Sequence, residues 1–276
     1  MQYLGALLLL PLLSCQATST DGGDGEGKLP REYLCGRAAT PPVLDGMLDD
    51  PCWQAAPATK PFADISGLDH PAPRHETRAK MVWDDRCLYV GAWLDEPHVQ
   101  ATLKERDSVI YQDNDFELFL DPDGDTHLYT ELEINAFGTE WDLLLVKPYL
   151  EGGPALNGFD LPGLETAVHV DGTINDPSDT DRGWGVEIAI PWAALDETTT
   201  SPTPPGPGDR WKVNFSRVEW TTRIEGSEYV KQTDPATGKP LPEDNWVWSP
   251  QGVVNMHIPE RWGVVVFTDS HRAKGS

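Results

Sequence analysis

Alternating apolar and polar positions along the chain predict many short β-strands and no long helix. The clearest example lies in residues 111–142, where Phe116, Leu118 and Leu120 alternate with Glu117 and Phe119. A second run alternates in the same way over residues 128–136. Because successive side chains of a strand point to opposite faces of a sheet, each run buries one face and leaves the other free. We expect two adjoining strands joined by an acidic turn.

The rest of the chain follows the same pattern. Residues 77–83 and 87–94 alternate on either side of an Asp84-Asp85 turn, which predicts a hairpin. In residues 184–190 the apolar positions 186, 188 and 190 share one face. Roughly ten to twelve such strands with short helical turns predict an all-β protein, an antiparallel β-sandwich. We assign residues 33–270 to a single domain.

Composition narrows the choice of partners. The chain has 276 residues and a formal net charge of −24, which argues against nucleic acid and against an anionic membrane surface. A neutral polyol or a divalent cation remains compatible with this charge. Eleven Trp and a hydrophobic share of 39% are sufficient for a packed core.

The first residues resemble a bacterial lipoprotein signal. An apolar run from Leu4 to Leu13 is too short to span a bilayer, and Ser14-Cys15 follows it. We expect a signal peptide over residues 1–15 with lipidation at Cys15, which would be the only membrane contact, and a flexible tether over residues 16–32. The expected location is the cell envelope (periplasm or outer membrane), lipid-anchored or secreted; plain secretion and a mis-assigned start codon are the alternatives.

Three further cysteines would then meet an oxidising compartment. For Cys35, Cys52 and Cys87, one disulfide and one free thiol is the expected arrangement, although the sequence does not define the pair. Because the sequence contains no C-x-x-C spacing, it does not support a zinc site or thiol redox chemistry.

Polar side chains crowd the free face of the two central runs. Glu117, Glu131, Glu133 and Asn135 belong to this face, and neighbouring acids repel one another unless a ligand, a cation or an arginine satisfies them. Arg217, in a later alternating run, is the candidate arginine. The side of the sheet that it faces is left open by the pattern.

Aromatic rings beside such a face are typical of a sugar site, because a sugar presents hydroxyls and an apolar C–H face. Tyr111 lies in a polar stretch with little to pack against, and Trp246 and Trp248 close a long polar segment. We therefore predict a carbohydrate platform formed by these rings and the polar face.

An acidic turn offers a possible metal site. Asp121, Asp123 and Asp125 place three carboxylates at alternate positions, which suits a hard cation with oxygen ligands. Structural calcium is the only cofactor expected.

Two other functions stay open at this stage. Glu131 and Glu133 would lie about 7 Å apart on one strand, a spacing that overlaps that of inverting glycosidases. A cofactor- or heme-binding module, with His127 or Met256 as ligand, is the second alternative.

Five motifs in order resemble those of family 9 carbohydrate-binding modules, which belong to the broader DOMON-like sandwiches of jelly-roll type. The resemblance covers about residues 40–268. The motifs are D-G-x-L-D-D-x-x-W at 45–53, W-D-D-x-x-L-Y-V at 83–90, D-x-E-L-F-L-D at 115–121, G-W-G-V-E-I-A-I-P-W at 183–192 and P-E-R-W-G at 259–263.

This resemblance implies non-catalytic binding of sugar or oligosaccharide ends, in the service of polysaccharide breakdown, and often structural calcium. Tyr111 falls where the family has a sandwiching Trp, Glu117 matches a ligand carboxylate, Asn135 matches a strand amide, and Trp248 is the expected second ring. Glu133 stands where sugar-binding members carry an arginine. The chain thus resembles a divergent, stand-alone member behind a lipoprotein signal.

Overall fold

The computed structural model describes residues 30–270, and within them the prediction of an all-β fold is confirmed. In this part of the chain, helical structure is limited to one short α-helix, α1, and four 3-10 turns at Ile110–Gln112, Tyr149–Glu151, Trp192–Ala194 and Pro259–Arg261. The helix and strands are α1 (Pro51–Ala55), β1 (Glu32–Arg37), β2 (Ala63–Asp64), β3 (Thr77–Trp83), β4 (Cys87–Asp95), β5 (Asp115–Asp121), β6 (Tyr129–Asn135), β7 (Glu140–Leu145), β8 (Ala155–Leu156), β9 (Glu165–Asp171), β10 (Gly183–Pro191), β11 (Arg210–Glu219), β12 (Thr222–Glu225), β13 (Glu228–Lys231), β14 (Asp244–Val247) and β15 (Gly263–Thr268).

Thirteen strands form one curled sheet. Its main path runs β8-β7-β6-β5-β11-β15-β1-β3-β4-β10-β9, while β14 pairs with β11 and β2, and β12 and β13 form a separate hairpin. The predicted hairpin of β3 and β4 is confirmed by their antiparallel register. The exception to the expected antiparallel pairing is β1, which pairs in parallel with both β15 and β3. Parallel strands cannot be joined by a tight turn, so β1 is connected to its neighbours β15 and β3 by longer stretches of chain.

The main core lies between the two halves of the curled sheet. One half contributes Phe116, Leu118 and Ile134, and the other contributes Val90 and Ile188, all in one buried cluster. These are the positions that the alternation in β5, β6 and β10 assigns to the inner face, so that part of the pattern is confirmed. Burial of apolar surface at about 25 cal/mol per Å² makes this cluster the main source of stability.

The outer face of β5–β7 is covered as well, contrary to the expectation of a free face. Every residue of β5 and β6 is buried. A second apolar cluster forms on this side, in which Phe119, Tyr129 and Trp141 pack with Met256 and Trp262. The last two come from the segments around β15, so a long connection folds back over the sheet and turns an open face into the base of a recess.

The expected disulfide is not formed. Cys35, Cys52 and Cys87 are all buried free thiols among the described residues. Cys35 belongs to the main core, whereas Cys52 and Cys87 belong to a third cluster around α1. Burial raises the pKa of each thiol, which keeps the thiols protonated.

The predicted signal peptide, Cys15 and most of the predicted tether lie outside the described residues. Within residues 30–270 there is no helix of the length and apolarity that crossing a bilayer requires.

Candidate functional site

A recess of about 780 Å³ opens on the outer face of β5–β7. This volume is within the range of small-molecule sites. Strands β5, β6 and β7 supply its floor, and the connections before β5, after β7 and on both sides of β14 supply its walls. The lining residues are Ile65, Val109, Tyr111, Glu117, Phe119, Glu131, Glu133, Trp141, Leu143, Tyr149, Pro154, Ala155, Asn157, Val218, Glu243, Asn245, Val254, Asn255, Met256 and His257.

Strand register arranges the floor in two rows. Glu117 of β5 lies opposite Glu133 of β6, and Glu133 lies opposite Trp141 of β7. In the next row Phe119, Glu131 and Leu143 are paired in the same way. Directly opposed residues share a face, so one row presents two carboxylates and an indole, and the other a carboxylate between apolar groups.

The floor carboxylates hold protons unusually tightly. Burial raises the pKa of Glu117 to about 7, an effect partly offset by the Ser216 hydroxyl and increased by Glu243. Burial and then the charge of Glu117 raise the pKa values of Glu131 and Glu133 well above the usual range. Glu131 and Glu133 lie close enough for a proton on one to be hydrogen-bonded to the other.

Two half-exposed tyrosines form the walls. Tyr111 is 42% exposed and Tyr149 is 46% exposed, although both line the recess. The Tyr111 backbone N–H donates to Glu133 Oε2 at 2.8 Å, and Trp220 Nε1 donates to the Tyr111 carbonyl at 2.8 Å. Tyr111 is therefore fixed to the floor through its backbone while its ring stays free.

Tyr149 and its neighbour His257 were missed by the sequence analysis. Their rings meet edge to face with centroids 4.5 Å apart, and His257 Nδ1 lies 3.1 Å from the Tyr129 hydroxyl. Burial lowers the pKa of His257 to about 4, so the imidazole is neutral at physiological pH. In the sequence, the position of the aromatic Tyr149 directly after Pro148 was the only indication of this wall of the recess.

Trp141 contributes a hydrogen-bond donor to the floor. Its Nε1 is buried and has no hydrogen-bond partner among residues 30–270, although its ring lines the recess. A buried N–H without a partner is costly, and a ligand acceptor in the recess would relieve that cost. Trp141 lies beyond the two alternating runs around residues 116–120 and 128–136, and for that reason the sequence did not assign it to the site.

Asn135 does not line the recess. Its side-chain Nδ2 donates to the Leu103 carbonyl at 2.8 Å and to Asp113 Oδ2 at 3.0 Å, while its Oδ1 accepts from the backbone N–H groups of Phe137 and Thr139. With its amide fully engaged, this residue secures the turn after β6. The expectation that it contacts a ligand is corrected accordingly.

Arg217 faces the interior, away from the recess. Because Ser216 lies opposite Glu117, its neighbour Arg217 must point to the other side of the sheet. There it is 1% exposed and donates to Glu219 Oε2 at 2.8 Å and to Glu96 Oε2 at 2.7 Å. It cannot neutralise the floor acids, so the expected pairing is wrong.

Trp246 and Trp248 also lie outside the recess. Trp246 pairs with Arg217 in the register of β11 and β14 and takes the same inward side. Trp248 is fully buried and packs against Tyr33 and Phe215, with ring centroids 6.4 Å and 5.7 Å away. The expectation that Trp248 forms the second wall is therefore wrong. Tyr149 forms that wall of the recess instead.

The acidic turn after β5 brings its three carboxylates together. Asp121, Asp123 and Asp125 each offer an oxygen within 4.8 Å of the others. Asp121 also organises the turn itself, since its two oxygens accept from the backbone N–H groups of Gly124 and Thr126. One oxygen of Asp123 has no hydrogen-bond partner among the described residues.

The alternative heme ligands are not brought to one site. Met256 lines the recess, whereas His127 is exposed on the turn before β6 and has its Nδ1 2.9 Å from the Asp125 carbonyl. Glu131 and Glu133 lie side by side in the floor and cannot flank a scissile bond, as a hydrolytic pair must.

The comparisons with known proteins agree on one protein family. Residues 44–206 match the family model described as carbohydrate family 9 binding domain-like. The exoglucanase XynX of Acetivibrio thermocellus is 27% identical over 154 residues, which is 56% of this chain. That stretch is only 12% of the relative, so the chain corresponds to a small part of a much longer enzyme.

Solved structures agree on the fold. A family 9 carbohydrate-binding module from Caldicellulosiruptor kristjanssonii, in complex with cellotriose, has a TM-score of 0.56 over 88% of this chain and 96% of that chain. A module of the same family and organism in complex with glucose has a TM-score of 0.55 over 89% and 99%. Each is 16% identical to this chain.

Proposed function

The chain belongs to the family 9 carbohydrate-binding modules, and from this premise we propose that the recess on β5–β7 binds the ends of sugar chains without catalysing a reaction. One observation carries the proposal: a single recess combines two half-exposed tyrosine rings with a floor of buried carboxylates and an unpartnered indole N–H. A sugar ring presents apolar C–H faces and a rim of hydroxyls, so it requires both kinds of surface at once.

The two tyrosine rings of the walls can pack against the C–H faces of a sugar. Exposed rings that become covered by a sugar contribute about 25 cal/mol per Å² of apolar surface. Tyr111 and Tyr149 have only two side-chain torsions each, so holding them against a ligand costs little conformational entropy.

The polar groups of the floor can form hydrogen bonds with the hydroxyls of a sugar. Glu117 and Glu133 can accept hydrogen bonds from vicinal sugar hydroxyls, and Trp141 Nε1 can donate to a sugar oxygen. Hydrogen bonds to charged groups contribute on the order of 1.5 to 3 kcal/mol each. Acceptors outnumber donors in the floor, which favours a ligand rich in hydroxyl donors.

The similar proteins suggest the class of sugar. The two solved modules hold cellotriose and glucose, and the similar enzyme is an exoglucanase. We therefore propose glucose-containing oligosaccharide ends as the first ligands to test, and a role in polysaccharide breakdown as the context.

Calorimetry with glucose, cellotriose and a wider oligosaccharide panel tests the proposal. We expect the wild type to bind at least one saccharide and Tyr111→Ala to bind it at least about tenfold more weakly, a difference of about 1.4 kcal/mol. Trp93→Ala is the control, since Trp93 is a partly exposed ring on β4 that does not line the recess. Binding of no saccharide by the wild type would contradict the proposal.

A chromatographic assay on the same mixtures checks for catalysis. We expect the oligosaccharides to remain intact after prolonged incubation. Release of shorter sugars that stops with Glu131→Gln would show instead that the floor acids are hydrolytic.

We also propose a lipid anchor at Cys15, which the Leu12-Leu13-Ser14-Cys15 sequence supports. The anchor would present the binding domain on the cell envelope. Comparing the membrane fractions of wild type and Cys15→Ala tests it: we expect the variant to become soluble, and an unchanged distribution would rule the anchor out.

Calcium at the turn of Asp121, Asp123 and Asp125 is a further proposal, supported by the unpartnered oxygen of Asp123. There the ion would brace the turn between β5 and β6. We expect millimolar calcium to raise the melting temperature of the wild type but not of Asp123→Ala. Equal shifts in both proteins would exclude this turn.

A further inference from the structure

A cluster of three acids, separate from the acidic turn, joins two residues that line the recess, Glu117 and Glu133, to Asp115, which is buried beside them. Asp115, Glu117 and Glu133 each offer an oxygen within 4.8 Å of the others, and all three are buried. Asp115 and Glu117 are two residues apart on β5, and Glu133 faces Glu117 across the ladder. The three side chains therefore share the face on which the recess opens.

One member of this cluster has an unused oxygen. Asp115 is 0% exposed, its Oδ1 accepts from the Val218 backbone N–H at 3.1 Å, and its Oδ2 has no hydrogen-bond partner in the described part of the chain. The hydroxyl of Ser216, opposite Glu117, lies beside the cluster and interacts with the Glu117 carboxylate. An unpartnered oxygen within a cluster of three buried carboxyl groups is an unstable arrangement unless something positive lies between them.

The protein itself offers little positive charge there. Among the described residues, the lining of the recess includes four glutamates and neither Lys nor Arg. Arg217, on the neighbouring strand, points into the core and is engaged by Glu96 and Glu219. Lys231 interacts electrostatically with Glu243 and Asp113 at the edge of the recess, so a cation from outside the chain would balance the charge of Glu117 and Glu133 when these acids are ionised.

The ligand atoms indicate which charge that is. All candidate donors are carboxylate or hydroxyl oxygens, which are the ligands of hard cations such as Ca²⁺ and Mg²⁺ rather than of softer transition metals. We propose that Asp115, Glu117 and Glu133 hold a hard divalent cation of the calcium class in the floor of the recess.

The position of this ion gives it a role in recognition. Calcium takes about six to eight oxygen ligands, more than three carboxylates in this floor are expected to supply, so the positions toward the recess are left for water or ligand. Resting on the proposed carbohydrate function, we infer that two vicinal hydroxyls of the sugar occupy those positions. The ion would then take the place of a cationic side chain at the sugar site.

Terbium luminescence and calorimetry test the cation site directly. Terbium is a hard cation that replaces calcium, and Trp141, opposite Glu133, is placed to sensitise its emission. After removal of metal with EDTA and at about pH 8, we expect the full chain to show sensitised terbium emission that calcium displaces. Glu133→Gln and Asp115→Asn should each weaken binding at least about tenfold, the expected result of removing one charged ligand.

The controls separate this site from other acids. Glu165→Gln changes an exposed carboxylate on β9 and should bind terbium as the wild type does. Emission that persists in both floor variants but is lost in Asp123→Ala would place the ion at the turn and overturn the proposal. Circular dichroism of each variant in EDTA verifies the fold; should Asp115→Asn not fold, Glu133→Gln and Glu117→Gln decide the result.

Sugar calorimetry with and without calcium tests the second step. We expect affinity for the bound saccharide to fall at least about tenfold in EDTA, or about 1.4 kcal/mol. Equal affinity in calcium and EDTA would overturn coordination of the sugar by the ion while leaving carbohydrate binding intact. Cation binding by a chain that binds no saccharide would refute the proposed function and this coordination, but not the cation site.

Discussion

Glu117 and Glu133 face each other across the antiparallel ladder of β5 and β6, both buried and both in the floor of the same recess. Like charges directly opposite one another destabilise a sheet, and burial removes the water that would screen them. The fold tolerates this pair because a proton, a cation or a ligand can occupy the space between the strands. The relationship links the stability of the chain to the occupancy of its site.

Replacing Glu133 by Gln should stabilise the metal-free protein. At about pH 8 in EDTA, we expect Glu133→Gln to raise the free energy of unfolding by about 1 kcal/mol, because it replaces one of two opposed, buried carboxyl groups by an amide that cannot ionise. The amide oxygen can still accept from the Tyr111 backbone N–H, as Glu133 Oε2 does. Urea denaturation measures the change, with Glu165→Gln as control; a loss of stability in Glu133→Gln would show that the two acids do not repel.

Arg217 should be a structural residue rather than a ligand. Removing one partner of a buried ion pair costs about 3 to 5 kcal/mol, and Arg217 serves two buried carboxylates, Glu96 and Glu219. We therefore expect Arg217→Ala to lower the free energy of unfolding by that amount. The control is Arg210→Ala, whose partner Glu32 is exposed, with an expected cost of about 1 kcal/mol or less. Equal effects of the two variants would contradict the assignment.

Glu96 should make stability depend on pH. Burial, and then the charge of Glu219, raise its pKa to about 8, while Arg217 opposes the rise. A carboxyl whose pKa is higher in the folded state stabilises the fold below its unfolded pKa of about 4.5, and this contribution is lost as the pH rises through about 8.

Denaturation of wild type and Glu96→Gln between these two pH values tests the effect. We expect the slope of stability against pH to be shallower in the variant, by at most about 1.4 kcal/mol per pH unit, the value for one proton. Identical slopes would mean that Glu96 is ionised throughout the range.

Much of the fold could be predicted from the sequence because strand alternation records which side chains face the core. Phe116, Leu118 and Ile188 follow this rule and lie inside. The parallel position of β1 could not be predicted, since it is set by contacts between the two ends of the chain. The alternation of apolar and polar residues does not indicate which distant strands become neighbours in the sheet.

The site was predicted in part, for the same physical reason. Glu117 and Glu133 were assigned to the correct face by alternation, but Tyr149 and His257 lie in irregular segments without any period. Arg217 was left open although its run gave a signal: it shares parity with Phe215, which is in the core. Trp248 could not be judged, because a tryptophan suits a core and a sugar site equally well.

The identity of the second wall is the central claim, and one calorimetric comparison tests it most directly. Using a saccharide that the wild type binds, we would measure affinity for Tyr149→Ala and for Trp248→Phe, which alters a ring buried in the core. The structure predicts that Tyr149→Ala binds at least about tenfold more weakly, about 1.4 kcal/mol, while Trp248→Phe keeps the wild-type affinity. Unchanged affinity in Tyr149→Ala together with loss in Trp248→Phe would contradict the recess on β5–β7 as the sugar site.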